Sequence, residues 1–156
     1  MSIPPALDHP ANAGALRYLG REWTSPDLPS VRPPAAVSDP YYTLGTHPDI
    51  VERLWAGLNK SLPEDCRWVV YRMPALVHPR SGAILAFGIG TGYALWVPPP
   101  ALQAALQAGA EQAHTYMGGS VLDLRAFGPG WVFGRWYRGE EEWCVAAYQA
   151  AEPRVG

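Results

Sequence analysis

The chain has 156 residues, 48% hydrophobic and 17% charged, which is enough apolar side chain for one domain with a single buried core. Its 12 basic and 14 acidic side chains leave a formal charge of −2, so the basic excess typical of nucleic-acid binding is missing and we expect no nucleic-acid partner. No run of roughly 18 apolar residues predicts a membrane span, and the first residues lack the pattern of a signal peptide. We therefore expect a cytoplasmic protein without a membrane partner.

Proline is concentrated in the first quarter of the chain. Eight of the 17 prolines fall within residues 1–40, where they remove backbone donors and bias their neighbours toward extended conformations. The exception is 11–23, whose apolar residues share one helical face and predict a short helix. The sequence thus predicts a Pro-rich extended arm over 1–40, followed by a single α+β domain over 41–156.

The first regular element of this domain is a helix that begins at Pro48. Thr46 or His47 precedes the proline as a plausible N-cap. An apolar stripe then continues to Leu62, until Pro63 ends the helix.

Strands follow in an order that favours antiparallel pairing. β-Branched and aromatic residues predict strands over 66–73, 75–78, 83–87 and 93–97, with a turn of Pro, Arg, Ser and Gly before the third. The glycine-rich stretch at 88–92 leads into a strand, whereas a dinucleotide-binding loop must open a helix. We interpret it as a strand connection.

The second half of the chain alternates helices with strands. The pattern predicts a helix over 101–116, a second hairpin with strands over 121–127 and 131–137, and a final helix whose first turn is the run Glu140–Glu142. We expect an α+β fold with a mainly antiparallel sheet of about five or six strands and two or three packed helices, preceded by the Pro-rich N-terminal arm.

No group of residues has the spacing of a known catalytic or metal site, so we predict no catalytic residue, no cofactor and no metal. The four histidines are dispersed, and Cys66 and Cys144 lie far apart in the sequence without the pattern of a zinc site. We expect both thiols to be reduced, with a single disulfide as the alternative if the protein is exported.

The segment from Phe127 to Arg138 is the richest in aromatic and arginine side chains. On an extended strand, alternate residues would place large aromatics on both faces. Two interpretations stay open: either helices cover both faces, or one face is kept for a partner. The candidate partner-binding residues are Trp131, Phe133, Arg135, Trp136, Tyr137 and Arg138. The same surface could extend over Trp68, Tyr71, Arg72, Tyr93 and Trp96, with the glutamate run at its rim.

The leading hypothesis is a small soluble protein that binds another protein, either of the immunity or antitoxin kind or as an accessory subunit. The alternative is a small enzyme or small-molecule-binding protein with a pocket near His78, Arg80, Asp123 and Cys144. The alternative requires these four groups to converge in one cleft. The protein-binding hypothesis instead predicts an exposed apolar patch on the surface.

Overall fold

A computed structural model describes residues 4–23, 31–34 and 46–153; the predicted boundary between residues 40 and 41 lies outside these ranges. Within them, a six-stranded antiparallel sheet and a separate two-stranded antiparallel sheet are combined with four α-helices. The predicted α+β class with a mainly antiparallel sheet is confirmed.

The strands are β1 (Val31–Arg32), β2 (Arg67–Val70), β3 (Met73–Val77), β4 (Ile84–Gly88), β5 (Tyr93–Trp96), β6 (Ala113–Thr115), β7 (Val121–Asp123) and β8 (Trp131–Gly134). The larger sheet has the order β1-β2-β3-β4-β5-β8, and β6 pairs with β7. The α-helices are α1 (Ala13–Trp23), α2 (Pro48–Glu52), α3 (Ala101–Gln107) and α4 (Glu140–Ala151). A π-helical segment (Arg53–Leu58) and a 3-10 turn (Asn59–Ser61) continue α2, and further 3-10 turns lie at Pro10–Asn12 and Leu124–Phe127.

Local chemistry explains where the helix at Pro48 begins. The His47 imidazole accepts a hydrogen bond of 3.1 Å from the backbone N–H of Asp49, which satisfies one of the free donors of the first turn. Pro48 occupies a position where its missing N–H costs nothing. Of the two predicted N-caps, the structure selects His47.

Helices cover both faces of the larger sheet. This was the first of the two interpretations of the aromatic segment 127–138. On one face, Leu54 and Ala147 from the helical layer pack in the same core cluster as Leu95 of β5. On the other face, Leu19 of α1 packs in a cluster with Phe87. The described part of the N-terminal arm therefore contributes to the core, because Ala15 and Leu19 of α1 are fully buried in this cluster.

The predicted helix over 101–116 is too long. Helix α3 ends at Gln107, and Gly109 adopts a φ of +101°, a left-handed conformation that stops a helix. Residues Ala113–Thr115 instead form β6. The apolar spacing that suggested a continuous helix is shared by a short helix, a turn and a strand.

The predicted second hairpin is also wrong in its pairing. Strand β7 pairs with β6, whereas β8 pairs with β5. Residues Leu124–Phe127 form a 3-10 turn, because the Asp123 carboxylate accepts the backbone N–H of Arg125 and caps it. The alternation of apolar and polar residues along a strand shows which face is buried, but it does not determine which strand is the pairing partner.

Two other predicted strands are shorter than expected. The strand over 66–73 is divided by a turn at Tyr71 and Arg72, where Tyr71 has a φ of +56°. The strand over 131–137 ends at Gly134.

The stretch at 88–92 connects β4 to β5, as predicted. Among the described residues, no helix combines the length and hydrophobicity needed to cross a bilayer.

Candidate functional site

Trp136 is the second residue after β8 and is 52% exposed. Its backbone adopts a φ of +54°, in the left-handed region that costs a residue with a bulky side chain of order 1–3 kcal/mol. Such a conformation persists only where surrounding contacts hold it, and it is found most often at binding and catalytic sites. Trp136 is therefore the starting point for the candidate site.

A buried hydroxyl holds the backbone of Trp136. Its N–H donates a hydrogen bond of 2.6 Å to the hydroxyl oxygen of Tyr93, whose O–H donates in turn to Glu140 Oε1 at 2.6 Å. The other carboxylate oxygen of Glu140 accepts the backbone N–H of Arg135 at 3.0 Å. Two consecutive amides thus bond to side chains instead of a neighbouring strand, which is why β8 ends at Gly134.

The Glu140 carboxylate is completely buried and is neutralised by Arg53. Arg53 Nη2 lies 2.7 Å from Glu140 Oε1, and Arg53 Nη1 lies 3.1 Å from Glu141 Oε1. Burial by itself would lower the pKa of Arg53, but its hydrogen bonds to Glu140 and Tyr93 raise it above the ordinary value. Burial and the Glu140 charge also raise the pKa of Tyr93. At neutral pH the site therefore contains a charged guanidinium and a neutral phenol.

The sequence makes room for this arrangement at Gly134. Tyr93 and Gly134 face each other in the β5–β8 register. A Cβ at Gly134 would overlap the Tyr93 ring, so the absence of a side chain lets the phenol reach Glu140 and Trp136. Arg53 begins the π-helical segment, an uncommon geometry that is frequent at functional sites.

A groove of about 570 Å³ lies on one side of Trp136. Its wall is formed by α2 and the π-helical segment, and its charged lining residues are Asp49, Glu52, Arg53 and Lys60. The Arg53 guanidinium carbon lies 5.9 Å from the centre of the Trp136 ring, within the range of a cation–π contact. The groove therefore combines an aromatic face with charged side chains of both signs.

A smaller aromatic hollow of about 300 Å³ also includes Trp136 in its lining. In this hollow His114 stacks on Phe133 with ring centres 4.1 Å apart, and Tyr116 contacts His114 edge-on at 4.8 Å. The β6–β7 hairpin that carries His114 and Tyr116 is fixed to β8 by the bond from Phe133 N–H to Glu111 O, 2.8 Å.

The same hairpin carries further exposed apolar side chains. Within the described ranges, the large hydrophobic residues that are exposed are Met117, Val121 and Trp136. Met117 lies between β6 and β7, and Val121 begins β7. The exposed apolar side chains are thus distributed along the hairpin and on Trp136, with the aromatic hollow lined from both elements.

The structure divides the six candidate partner-binding residues between core and surface. Trp131 is fully buried and Phe133 is 5% exposed, because the 3-10 turn Leu124–Phe127 and the β6–β7 hairpin cover their face of β8. Tyr137 is half-buried, whereas Arg135, Trp136 and Arg138 are exposed. The surface available for a partner is therefore narrower than the predicted set and centres on Trp136.

The five residues that were suggested to extend this surface are also divided between the core and the surface. Trp68 and Tyr93 are buried in different core clusters, on opposite faces of the sheet. Trp96 and Tyr71 are half-buried, and Arg72 is exposed next to Tyr71 in the turn between β2 and β3.

The four groups of the alternative pocket are only partly brought together. His78 and Arg80 adjoin in the turn after β3, whereas Asp123 lies on β7, where Arg125 is its hydrogen-bond and ion-pair partner. Cys144 is 1% exposed inside the core, and burial together with the Glu140 charge raises the pKa of its thiol. A protonated and buried thiol is a poor nucleophile.

His78 belongs to a cluster that joins the turn after β3 to the end of α4. Its Nδ1 accepts the backbone N–H groups of Arg80 and Ser81, both at 3.2 Å, so the neutral ring carries its proton on Nε2. Nε2 lies 3.5 Å from Glu152 Oε1, and the Tyr148 ring packs against the imidazole at 4.6 Å. Burial lowers the pKa of His78. These contacts give the cluster a role in fixing the turn.

Of the three residues central to the site, Arg53 was not selected from the sequence, and Tyr93, which was expected on the exposed surface, is fully buried. The glutamate run was expected at an exposed rim, yet Glu140 is buried while Glu142 is exposed. The available signal was Gly134, since a glycine inside an aromatic strand marks the close approach of another group.

The Glu140 carboxylate serves the fold. Every oxygen of the Glu140 carboxylate is engaged, and its hydrogen-bond partners belong to the fold itself. In the described part of the chain, no group of three or more His, Cys, Asp or Glu side chains is arranged to hold a metal ion. In comparisons with known proteins, no family model matches this sequence, and no curated protein and no solved structure is significantly similar to it.

Proposed function

We propose that this protein acts by binding another protein through a surface centred on Trp136. The observation that carries the proposal is the position of Trp136: a half-exposed indole in a left-handed backbone conformation, held by the buried Tyr93 and Glu140 side chains. Because these bonds fix the backbone from which the indole projects, Trp136 loses less conformational entropy on binding and is suited to anchor a partner.

The surroundings of Trp136 fit the composition of a protein interface. Tryptophan, tyrosine and arginine dominate binding hot spots, and such anchors are most effective when neighbouring contacts exclude water. Arg135 and Arg138 flank Trp136, and His114 and Tyr116 of the β6–β7 hairpin line the aromatic hollow beside it. This set supplies a central anchor with a mixed rim.

Within this proposal, the mode of action is steric occlusion of a partner's working surface, as in a protein of the immunity or antitoxin kind. An accessory subunit would use the same anchor to remain attached to its complex. Both roles require a stable interface, and they differ in whether the partner's activity falls or persists when the protein is bound.

A capture experiment with matched variants tests the proposal. The full-length protein is immobilised, incubated with lysate of the cells that encode it, and the captured proteins are quantified by mass spectrometry. We expect at least one protein to be retained by the wild type and to fall more than about tenfold with Trp136→Ala, as for a hot-spot residue. Trp136→Gly should give the same loss while favouring the left-handed backbone, which separates the indole from the conformation.

The matched control is Tyr71→Ala. Tyr71 is another aromatic residue with a left-handed φ, and it lies in the turn between β2 and β3. Its removal should leave the captured partner unchanged. Equal recovery of every captured protein with wild type, Trp136→Ala and Trp136→Gly would show that Trp136 is not the anchor, and capture of nothing by the wild type would also count against the proposal.

A further inference from the structure

In the groove beside Trp136, unpaired carboxylates outnumber unpaired cations among the described residues. Its lining contributes the carboxylates of Asp49 and Glu52 and the cations Arg53 and Lys60. Arg53 is already paired with Glu140 and Glu141. The charged groups of the lining that have no such partner among the described residues are therefore two carboxylates and one ammonium, that of Lys60.

The carboxylates on the groove wall retain capacity for a partner. Among the described residues, Glu52 has no ion-pair or hydrogen-bond partner for its carboxylate and is exposed. Asp49 is 78% exposed, and His47 Nδ1 lies 3.9 Å from its Oδ2. Arg53, by contrast, has its donors directed to Glu140, Glu141 and Tyr93. The carboxylates of Glu52 and Asp49 are therefore available to a partner, whereas the Arg53 guanidinium is already hydrogen-bonded within the fold.

The aromatic side of the groove is suited to a cation. The Arg53 guanidinium already lies over the Trp136 ring at 5.9 Å, and half of the indole surface remains open. A guanidinium can stack on an indole while donating two parallel hydrogen bonds to a carboxylate, because it is planar and has its donors in a fixed fork. A lysine ammonium offers a point charge without the flat face.

We propose that the groove lined by Glu52, Lys60 and Trp136 receives an arginine side chain of the partner protein. The inference rests on the proposed function and deepens it, since it assigns the chemistry of the partner at this site. The arginine stacks on Trp136 and its charge is balanced by Glu52 and Asp49. Lys60 opposes the incoming cation and limits the affinity of the groove.

The test uses short acetylated and amidated peptides of glycine and arginine as probes. Matched peptides carry citrulline, the neutral isostere of arginine, or lysine in its place. Each is titrated into the isotope-labelled full-length protein, and chemical shifts are followed at the Trp136 indole N–H and the backbone amide of Gly57, which also lines the groove. We expect the arginine peptide to shift both signals, with the lysine peptide weaker and the citrulline peptide weakest.

Two charge variants give effects of opposite sign. Glu52→Gln should weaken binding of the arginine peptide by about two- to fivefold, the range of a partly exposed ion pair, and Lys60→Gln should strengthen it. Both side chains are exposed, so neither change removes a core contact. Raising the salt concentration should reduce the difference between the variants, because exposed charges are screened.

The outcomes separate this inference from the proposed function. Citrulline and arginine peptides binding equally, no response to Glu52→Gln, or shifts confined to signals away from Trp136 and Gly57 would each overturn the arginine site. If Trp136→Ala abolishes capture of the partner while Glu52→Gln and Lys60→Gln leave it unchanged, the groove is not the arginine site but the Trp136 anchor stands. If Trp136→Ala leaves capture unchanged, both proposals fail.

Discussion

The hydroxyl oxygen of Tyr93, buried between the sheet and α4, accepts the backbone N–H of Trp136 at 2.6 Å. The Tyr93 hydroxyl therefore binds the main chain of Trp136 just after the end of β8. The phenol also donates to Glu140, so the exposed indole is connected through two side chains to the first turn of α4. This connection allows the candidate site to be tested through stability as well as through binding.

Removing the Tyr93 hydroxyl should loosen the backbone at Trp136. Tyr93→Phe leaves the backbone N–H of Trp136 without its partner and removes one of the two hydrogen bonds to Glu140 Oε1, so we expect a loss of about 1–3 kcal/mol in the free energy of unfolding, measured by chemical denaturation. Amide hydrogen exchange at Trp136 should accelerate. Tyr71→Phe, which alters a phenol in the turn between β2 and β3, should change stability by less than about 0.5 kcal/mol. Unchanged exchange at Trp136 in Tyr93→Phe would contradict this role.

Neutralising Glu140 should cost more than any change to its neighbours in the run. Glu140→Gln leaves the Arg53 guanidinium buried without its main counter-charge, and breaking a buried pair costs about 3–5 kcal/mol. The matched change Glu142→Gln affects an exposed carboxylate and should stay within about 0.5 kcal/mol. Denaturant midpoints of the two variants make the comparison. Similar midpoints would mean that the ion pair with Arg53 contributes little.

A methyl group at Gly134 should displace Tyr93. Because a Cβ there would overlap the phenol ring, we expect Gly134→Ala to destabilise the fold by about 1–3 kcal/mol, as overpacking does. Gly118→Ala is the control, since no atom lies within 4 Å of the position that its Cβ would occupy. Thermal melting of the two variants gives the test, and equal melting temperatures would refute the steric role of Gly134.

The stability of the protein should fall in mildly acidic solution because of His78. Burial lowers the pKa of His78 in the folded state below its ordinary value of 6.5, so the unfolded chain binds the proton more readily. The associated stability is present above the ordinary pKa and is lost as the pH falls toward the folded-state pKa. The groups that face the imidazole are Glu152, Arg80, Tyr148 and Glu64.

A variant isolates the contribution of His78. His78→Asn keeps a side-chain acceptor for the backbone N–H groups of Arg80 and Ser81 but does not titrate near neutral pH. We expect its denaturation midpoint to change less than that of the wild type between pH 7.5 and 5.5. Parallel pH profiles for the two proteins would assign the acid sensitivity to other groups, such as Glu64, whose pKa is lowered by its hydrogen bond with Tyr148 and its contact with Arg80.

Local patterns in the sequence were sufficient for the fold class and for most element types. The Pro48 helix with a cap at His47, the strands of the central meander and the helix at Glu140 all follow from signals within a few residues. Over 101–116, the same apolar spacing runs through a helix, a turn and a strand. The predicted helix was too long because α3 ends at Gln107, before the left-handed Gly109.

The site itself depends on residues that are distant in sequence. Arg53, Tyr93 and Glu140 come from a π-helical segment, a strand and a helix, and only packing brings their side chains together. The sequence by itself determined that Trp136 was an aromatic residue in a strand-like segment rich in arginine. Tertiary structure decided that Trp131 is buried and Trp136 exposed, because two buried side chains take the amides that would have continued the strand.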